Sequence, residues 1–279
     1  MPAMQRADAC GLWRPTIISP YQERQGPGPA LTATTSYPRP LNPDHLSPAA
    51  SKPGSAPSLF WGIVLALAAL AMVPTLWPEL DLQTAAWFAG PGTEQHIIGW
   101  WWVELINLHI PAAFRALVFL ALAGWIVASL RPAYRRWRMP LAFVVLSGAL
   151  GPGLLVNSGF KEHWQRARPY EVQNFGGAAQ FTRAGVITDQ CNNNCSFVSG
   201  HVACGFFFAS LMLLSHRKRR LWAATGVGAA AFIGFSRMAD MAHWLSDVLW
   251  AGPITLLCSW IIWRGLLWAY QPKLGELDG

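Results

Sequence analysis

Charged side chains are scarce in this chain. Asp, Glu, Lys and Arg make up 13% of its 279 residues, against 53% hydrophobic residues and 16 tryptophans. That composition excludes an ordinary water-soluble globule, which carries about twice as much charge. Acidic residues are the scarcer sign, 14 against 21 Lys and Arg, which leaves a formal net charge of +7. The segment Pro78 to Ile110 has no Lys or Arg at all, yet holds Glu79, Asp81, Glu94 and Glu104. No internal repeat is visible. A cleavable leader is not expected either, because the first apolar run starts near Leu59 and is long enough to span a bilayer.

What the chain does have is long apolar runs. Six approach the roughly 20 residues that a helix needs to cross about 30 Å of hydrocarbon: Ser58 to Trp77, Pro111 to Leu130, Met139 to Phe160, Ser199 to His216, Leu221 to Arg237, and Trp244 to Trp263. The expected fold is all-α, an integral membrane protein with six transmembrane helices. Basic residues near helix ends are retained on the cytoplasmic side. Arg131, Arg135, Arg136 and Arg138 follow the second run, and Arg217, Lys218, Arg219 and Arg220 follow the fourth, so both loops are expected inside. The acidic first connection is then outside and both termini are cytoplasmic. The positive charge is thereby accounted for without a nucleic-acid partner; the bilayer itself is the partner that the runs imply.

Three regions flank or connect these spans. Residues 1–57 hold 11 of the 21 prolines and no helical periodicity, and read as a disordered cytoplasmic tail. Residues 58–270 form the six-span domain, and 271–279 a short cytoplasmic tail. Between Leu80 and Ile110 the chain is half-apolar, with Trp87, Phe88 and Trp100-Trp101-Trp102. It reads as a short interfacial helical region, where indole rings settle at headgroup level.

Three short strings at the ends of apolar runs carry the chemistry: KEHWQRARP (Lys161 to Pro169), FVSGH (Phe197 to His201) and SRMADMAHWLSD (Ser236 to Asp247). Singly, each has a bland reading as an interfacial basic cluster, a headgroup contact or a helix-stabilising pair. Yet the topology above, drawn from other charges, places all three on the outer side. A phosphate monoester needs fixed cations to hold it and spread its transition-state charge, and without a metal its removal needs a nucleophile and a proton donor. Lys161 supplies a point charge, and Arg168 and Arg237 supply planar forks that can each pair two phosphate oxygens. His201 follows Ser199 and Gly200 at the expected start of a helix, where free N–H groups attract an anion. It is the expected nucleophile, forming a phosphohistidine. His243 and Asp247 are four apart, so on a helix they share a face. Asp247 would fix the tautomer of His243, the expected acid and base.

Lys161, six residues, then Arg168-Pro169; Ser199-Gly200-His201; and Ser236-Arg237, five residues, His243, three residues and Asp247 together resemble the tripartite signature of the type-2 phosphatidic acid phosphatase superfamily, which also includes vanadium haloperoxidases. The resemblance covers about Met139 to Trp263, and the first two spans by hydropathy only. It implies an all-helical fold, metal-independent dephosphorylation with no cofactor, His201 as nucleophile and His243 with Asp247 as acid and base. Lys161, Arg168, Ser199, Gly200 and Arg237 would hold phosphate. The chain departs from the signature at Val198, where proline is usual.

Cys191 and Cys195 flank three asparagines just before the second string and are candidates for a disulfide on an oxidising side. A zinc pair would need two further ligands, for which His163 is the nearest recruit. Cys204 and Cys258 lie within spans and read as small packing residues. Arg115 reads as a side chain that snorkels to the outer interface, or that touches an anionic lipid. Asn174, Gly176, Gly177 and Arg183 lie on the loop between the first two strings, a simple connection or a headgroup-reading cover.

The expected function is removal of a terminal phosphate from a membrane lipid at the periplasmic face of a bacterial inner membrane. The local wording of KEHWQRARPYEVQNFGG and CNNNCSFVSGH is most similar to lipid A 1-phosphatases and close bacterial relatives, so lipid A 1-phosphate leads. Undecaprenyl diphosphate, phosphatidylglycerol phosphate and phosphatidic acid stay open. A lipid phosphotransferase is the second enzymatic reading, and a transporter or binding protein for an anionic lipid is the reading outside catalysis.

Overall fold

A computed structural model describes residues 58–89, 100–215 and 217–270. The expected tails, 1–57 and 271–279, lie outside these residues. Within them the chain is helical, with one isolated bridge between Val172 and Ala179 and no strand. The elements are α1 (Ser58–Leu76), α2 (Glu79–Ala89), α3 (Trp101–Leu130), a 3-10 turn (Pro132–Trp137), α4 (Arg138–Gly148), a wide π-type stretch (Ala149–Phe160) that continues into α5 (Lys161–Trp164), then α6 (Gly200–Ser210), α7 (Arg219–Ala239) and α8 (Leu245–Ala269).

Four segments are long and apolar enough to cross a membrane: Ser58–Leu76, Trp101–Leu130, Pro132–Glu171 and Leu245–Ala269. The other two expected spans differ for reasons written in their composition. Gly200–Leu213 is apolar but short. α7 is long enough but begins Arg219-Arg220 and is rich in Ala, Gly, Ser and Thr.

Burial explains the arrangement. In α1 the buried residues Phe60, Val64, Leu67 and Ala71 recur every three or four positions, one stripe that packs on α8. α6, by contrast, is buried on nearly all sides, and it packs against α7, α8, α3 and the π-type stretch. Its contact with α7 is a backbone-to-backbone approach. A Cβ on Gly205 would lie 2.7 Å from the Ala230 backbone, and one on Gly226 would overlap the backbone of Ala209. On the opposite end of the bundle from the three strings, Arg138 donates from Nε to the Ala128 carbonyl and from Nη2 to that of Ser129, both at 2.8 Å. It thereby satisfies carbonyls that the end of α3 leaves free.

Two boundaries differ from expectation. α3 starts at Trp101 rather than Pro111, so Pro111 sits inside a 30-residue helix, about 45 Å long. The tryptophan triplet belongs to its first turn, where Trp102 stacks on Phe232 and Phe235 of α7; α2 alone remains a separate short helix in that region. α8 starts at Leu245, with Trp244 as N-cap, because the Asp247 carboxylate accepts from the Trp244 N–H at 3.0 Å. His243 therefore precedes the helix and does not share a helical face with Asp247. Trp244 is 1% exposed, its indole N–H donating to the Ala167 carbonyl at 2.8 Å.

Gly226→Val is expected to cost about 3 kcal/mol or more through clash with the α6 backbone, read as a lower apparent unfolding temperature in detergent. Gly228→Val, where an added Cβ meets nothing within 4 Å, is expected to leave it unchanged.

Candidate active site

One end of the bundle gathers the C-terminal ends of α5 and α7 and the N-terminal ends of α3, α6 and α8, together with α2. The three strings meet there, joined by polar contacts within and between them and by residues outside them.

Arg166, two residues before Arg168, is the hub. It is fully buried, and its Nη1 donates to Asp247 Oδ1 at 2.6 Å and to Ser246 Oγ at 2.8 Å. Nη2 donates to Asp81 Oδ2 of α2 at 2.8 Å, and Nε to the Thr182 carbonyl at 2.8 Å. Its guanidinium also lies over the Trp244 and Phe181 rings, 5.3 and 5.8 Å from their centroids. Asp81 in turn accepts from the Ser246 N–H at 2.8 Å and from its hydroxyl at 2.6 Å. Burial pushes the Asp81 carboxyl above its usual range, held back by Arg166, while the nearby Asp247 charge pushes it further up. Asp247 also accepts from Ser196 Oγ, and its carbonyl accepts from the Ser199 N–H at 3.3 Å. The first string, the loop before the second and the start of α8 are thus fixed to one another.

The cations meet around Asn194. Lys161 Nζ donates to Asn194 Oδ1 at 2.8 Å, and Arg168 donates to its backbone carbonyl from Nε at 3.1 Å and from Nη2 at 2.6 Å. Asn194 has φ 49°, in the left-handed region that asparagine tolerates better than most residues. It sits within a five-residue loop closed by a Cys191–Cys195 disulfide with Cα atoms 5.7 Å apart. Arg237, on the last turn of α7, pairs with Asp240 Oδ2 at 3.1 Å. Asn107 of α3 donates to the same oxygen at 2.8 Å, while its backbone carbonyl lies 3.1 Å from His201 Nε2. Burial pushes the Asp240 carboxyl up, against the pull of Arg237.

His201 stands in the first turn of α6 after the N-cap Ser199. Gly200 leaves room for Asn157 of the π-type stretch: a Cβ there would lie 2.9 Å from Asn157 Oδ1. Asn157 donates from Nδ2 to the Pro152 carbonyl at 2.8 Å. The peptide between Phe197 and Val198 is cis.

His243 is 2% exposed. Its Nδ1 faces Asp247 Oδ2 at 3.7 Å, an ion-pair distance that is too long for a hydrogen bond. Burial pushes its pKa well below the usual histidine value; Asp247 opposes this, and Arg168, Arg237 and Lys161 add to it. The ring is therefore neutral at neutral pH, with a lone pair to offer. Buried polar atoms are partnered in roughly nine cases out of ten, yet Ser199 Oγ, Arg237 Nε and His243 Nε2 are buried without a hydrogen bond. One hydroxyl from the second string, and one guanidinium nitrogen and one imidazole nitrogen from the third, thus keep hydrogen-bonding capacity at one end of the molecule. Among the described residues, no group of three or more His, Cys, Asp or Glu is placed to hold a metal ion.

The structure thus brings together Lys161, Arg168, Ser199, Gly200, His201, Arg237, His243 and Asp247. The sequence reading missed Asp81, Asn107, Arg166, Asn194, Ser196, Asp240 and Ser246. Asp81 alone had a visible signal, a carboxylate in a half-apolar segment with no basic neighbour. His163 contacts the Gly159 carbonyl through Nδ1 at 2.7 Å, while the two cysteines are joined to each other. Asn174, Gly176 and Gly177 form a turn beside the bridge to Ala179 and make none of the contacts described here.

Residues 112–271 match the family model of the PAP2 superfamily. The chain is 34% identical over 195 residues to a lipid A 4'-phosphatase of Francisella tularensis subsp. novicida (strain U112), covering 67% of this chain and 86% of that protein. It is 39% identical over 119 residues to a lipid A 4'-phosphatase of Rhizobium leguminosarum, 42% of this chain and 49% of that one. A lipid A 1-phosphatase of Porphyromonas gingivalis is 38% identical over 63 residues, 22% of this chain and 14% of that protein. No solved structure gives a significant match.

Asp81→Asn leaves Arg166 with one carboxylate in a dry site, an expected loss of about 3–5 kcal/mol, read as a large drop in unfolding temperature with turnover lost in parallel. Replacing Cys191 and Cys195 together by serine frees the loop that holds Asn194. The expected result is vanadate inhibition strengthened by roughly tenfold, equivalent to about 1.4 kcal/mol, because Asn194 no longer competes as closely for the Lys161 and Arg168 donors, with the unfolding temperature less affected than by Asp81→Asn.

Proposed function

Because this chain belongs to the PAP2 superfamily and is a membrane lipid phosphatase, we propose that it hydrolyses a phosphate of lipid A at the periplasmic face of a bacterial inner membrane, through a phosphohistidine and without a metal. The observation that carries this reading is the convergence of Lys161, Arg168 and Arg237 with the unpartnered Ser199 Oγ, Arg237 Nε and His243 Nε2. Three cations and a hydroxyl match the charge of a phosphate dianion and of its five-coordinate transition state.

The geometry supports the reverse of the histidine roles expected from sequence. Asp247 faces Nδ1 of His243, which leaves Nε2 as the attacking nitrogen and stabilises the positive ring once phosphorus is attached. His201 has Nε2 against the Asn107 carbonyl, an arrangement that suits a proton carrier. In the proposed sequence, the His243 Nε2 lone pair forms the N–P bond as the P–O bond to the lipid breaks. The leaving oxygen takes a proton from the imidazolium form of His201, which the charge of the bound phosphate favours, leaving the neutral ring. His201 then removes a proton from water, whose oxygen attacks phosphorus and breaks the N–P bond, releasing inorganic phosphate and the free imidazole.

For the position of the phosphate, the relatives with the longer matches carry the name lipid A 4'-phosphatase, and they support the 4' position ahead of the 1-phosphate; the 1-phosphatase relative matches over a shorter stretch. Helices that alternate in direction at the site support a reading of six spans, with α6 and α7 joining the four apolar segments. The arginines after α3 and the basic residues before α7 favour the opposite end as cytoplasmic. In this topology residues 58–270 form the phosphatase domain, with 1–57 and 271–279 as cytoplasmic tails.

The test is incubation of the purified protein, without added metal, with lipid A species phosphorylated at the 4' position, at the 1 position or at neither. Phosphatidic acid, phosphatidylglycerol phosphate and undecaprenyl diphosphate complete the panel. Phosphate release from the 4' species is expected, vanadate-sensitive and indifferent to chelators. His243→Ala is expected to abolish label transfer from a 32P substrate to the protein, and His201→Ala to slow turnover while label still maps to His243. Release only with an added acceptor would point to a phosphotransferase. Lipid movement that survives loss of both histidines would point to a transporter.

A further inference from the structure

A cavity of about 620 Å³ opens from the site into the membrane-spanning part of the molecule. Lys161, Asn194, Gly200 and His201 line its polar end, and Phe114, Val118, Phe119, Leu122 and Val145 are among the residues that make its remaining wall apolar. Arg115 of α3 breaks that pattern. It lines the cavity, is exposed rather than enclosed by protein, and is not held by any hydrogen bond or ion pair among the described residues. An unpaired guanidinium within a membrane-spanning helix is costly and points to function.

Its depth follows from the helix. Asn107 of α3 marks the level of the reaction centre through its contact with His201. Arg115 lies eight residues further along α3, a rise of about 12 Å. Helical side chains lean towards the helix N-terminus, which for α3 is the site end. The guanidinium therefore reaches back to the neck between the phosphate-holding cations and the apolar wall. Cys204, one turn below His201 on α6, lines the same cavity. A guanidinium has five N–H donors and no acceptor, so its partner must be rich in acceptor oxygens. In a lipid phosphate that stands with its headgroup at His243 and its chains in the cavity, the group at this level is the acyl linkage.

We propose that Arg115 determines substrate specificity by donating hydrogen bonds to the acyl carbonyl oxygens of the lipid, at the neck between headgroup and chains. This rests on the lipid phosphatase reading and names the substrate class of that site: acylated lipid phosphates, in preference to polyprenyl or alkyl phosphates of equal length.

Two probes isolate the carbonyls: a diacyl phosphatidic acid, and its dialkyl ether analogue with the same chains and phosphate. The full chain is expected to favour the ester lipid by about ten- to a hundredfold in kcat/KM. Arg115→Gln should erase that preference, raising KM for the ester lipid about ten- to a hundredfold more than for the ether lipid. Arg115→Lys should retain part of it. A loss shared equally by both lipids, or no loss, overturns the proposal. Binding of the same pair to the His243→Ala protein, followed by tryptophan fluorescence, separates the two readings. If the intact protein turns over no lipid but binding still discriminates ester from ether through Arg115, the phosphatase reading falls and this proposal stands. Equal binding of both lipids, or binding of neither, overturns the proposal whatever the turnover.

Discussion

Everything at the site end depends on one buried guanidinium held between two carboxylates. Arg166 reaches Asp81 on α2 and Asp247 at the start of α8, and each of these oxygen sets is shared with a serine or a backbone N–H. Two carboxylates around a single cation leave excess negative charge in a dry place, and it is offset by hydroxyl and N–H donors from Ser196, Ser246 and Trp244. Such a network is stable only when complete. Its completeness sets where α8 begins, and it fixes the Asp247 carboxylate that His243 faces.

The arrangement separates two electrostatic tasks. Arg166 is spent on structure, sealed from solvent and saturated with acceptors. Lys161, Arg168 and Arg237 keep donors in hand and surround a neutral imidazole, so positive charge accumulates where an anion is to be bound. Asp240 is the carboxylate beside Arg237, and Asn107 shares its oxygen with that arginine. The same asparagine touches His201 through its main chain, so the proton-carrying histidine and the third cation are linked by a single residue of α3.

Much of this was legible in the chain. The apolar runs located the helices, and the spacing within the three strings named Lys161, Arg168, Ser199, Gly200, His201, Arg237, His243 and Asp247, but not Arg166, Asp240 or Ser246, which lie inside the same strings and act on buried partners. The missing parts were of three physical kinds. Asp81 and Asn107 act through partners 85 and 133 residues away, beyond any local pattern. Asn194 contributes its backbone carbonyl to Arg168, which no side-chain motif encodes, as well as its amide oxygen to Lys161. The relation of His243 to Asp247 was read as a helical pair, whereas the carboxylate is occupied in capping the helix and holds the histidine just ahead of it. Pro111 marks the start of the apolar run but not of α3, because the stacking of Trp102 on α7 carries the helix ten residues further out.

Asn194 has one more consequence. Its amide oxygen and its carbonyl together accept three hydrogen bonds from Lys161 and Arg168, much as two oxygens of a phosphate would. An arriving phosphate that uses those donors must displace the loop, and a departing one gives them back to it. Binding is then an exchange of acceptors, not a gain of new ones, so its free energy is the difference between two similar sets of contacts. The disulfide keeps the internal acceptor close at hand, which sets a ceiling on how tightly the cleaved phosphate can linger and returns the cations to the same positions for the next turnover.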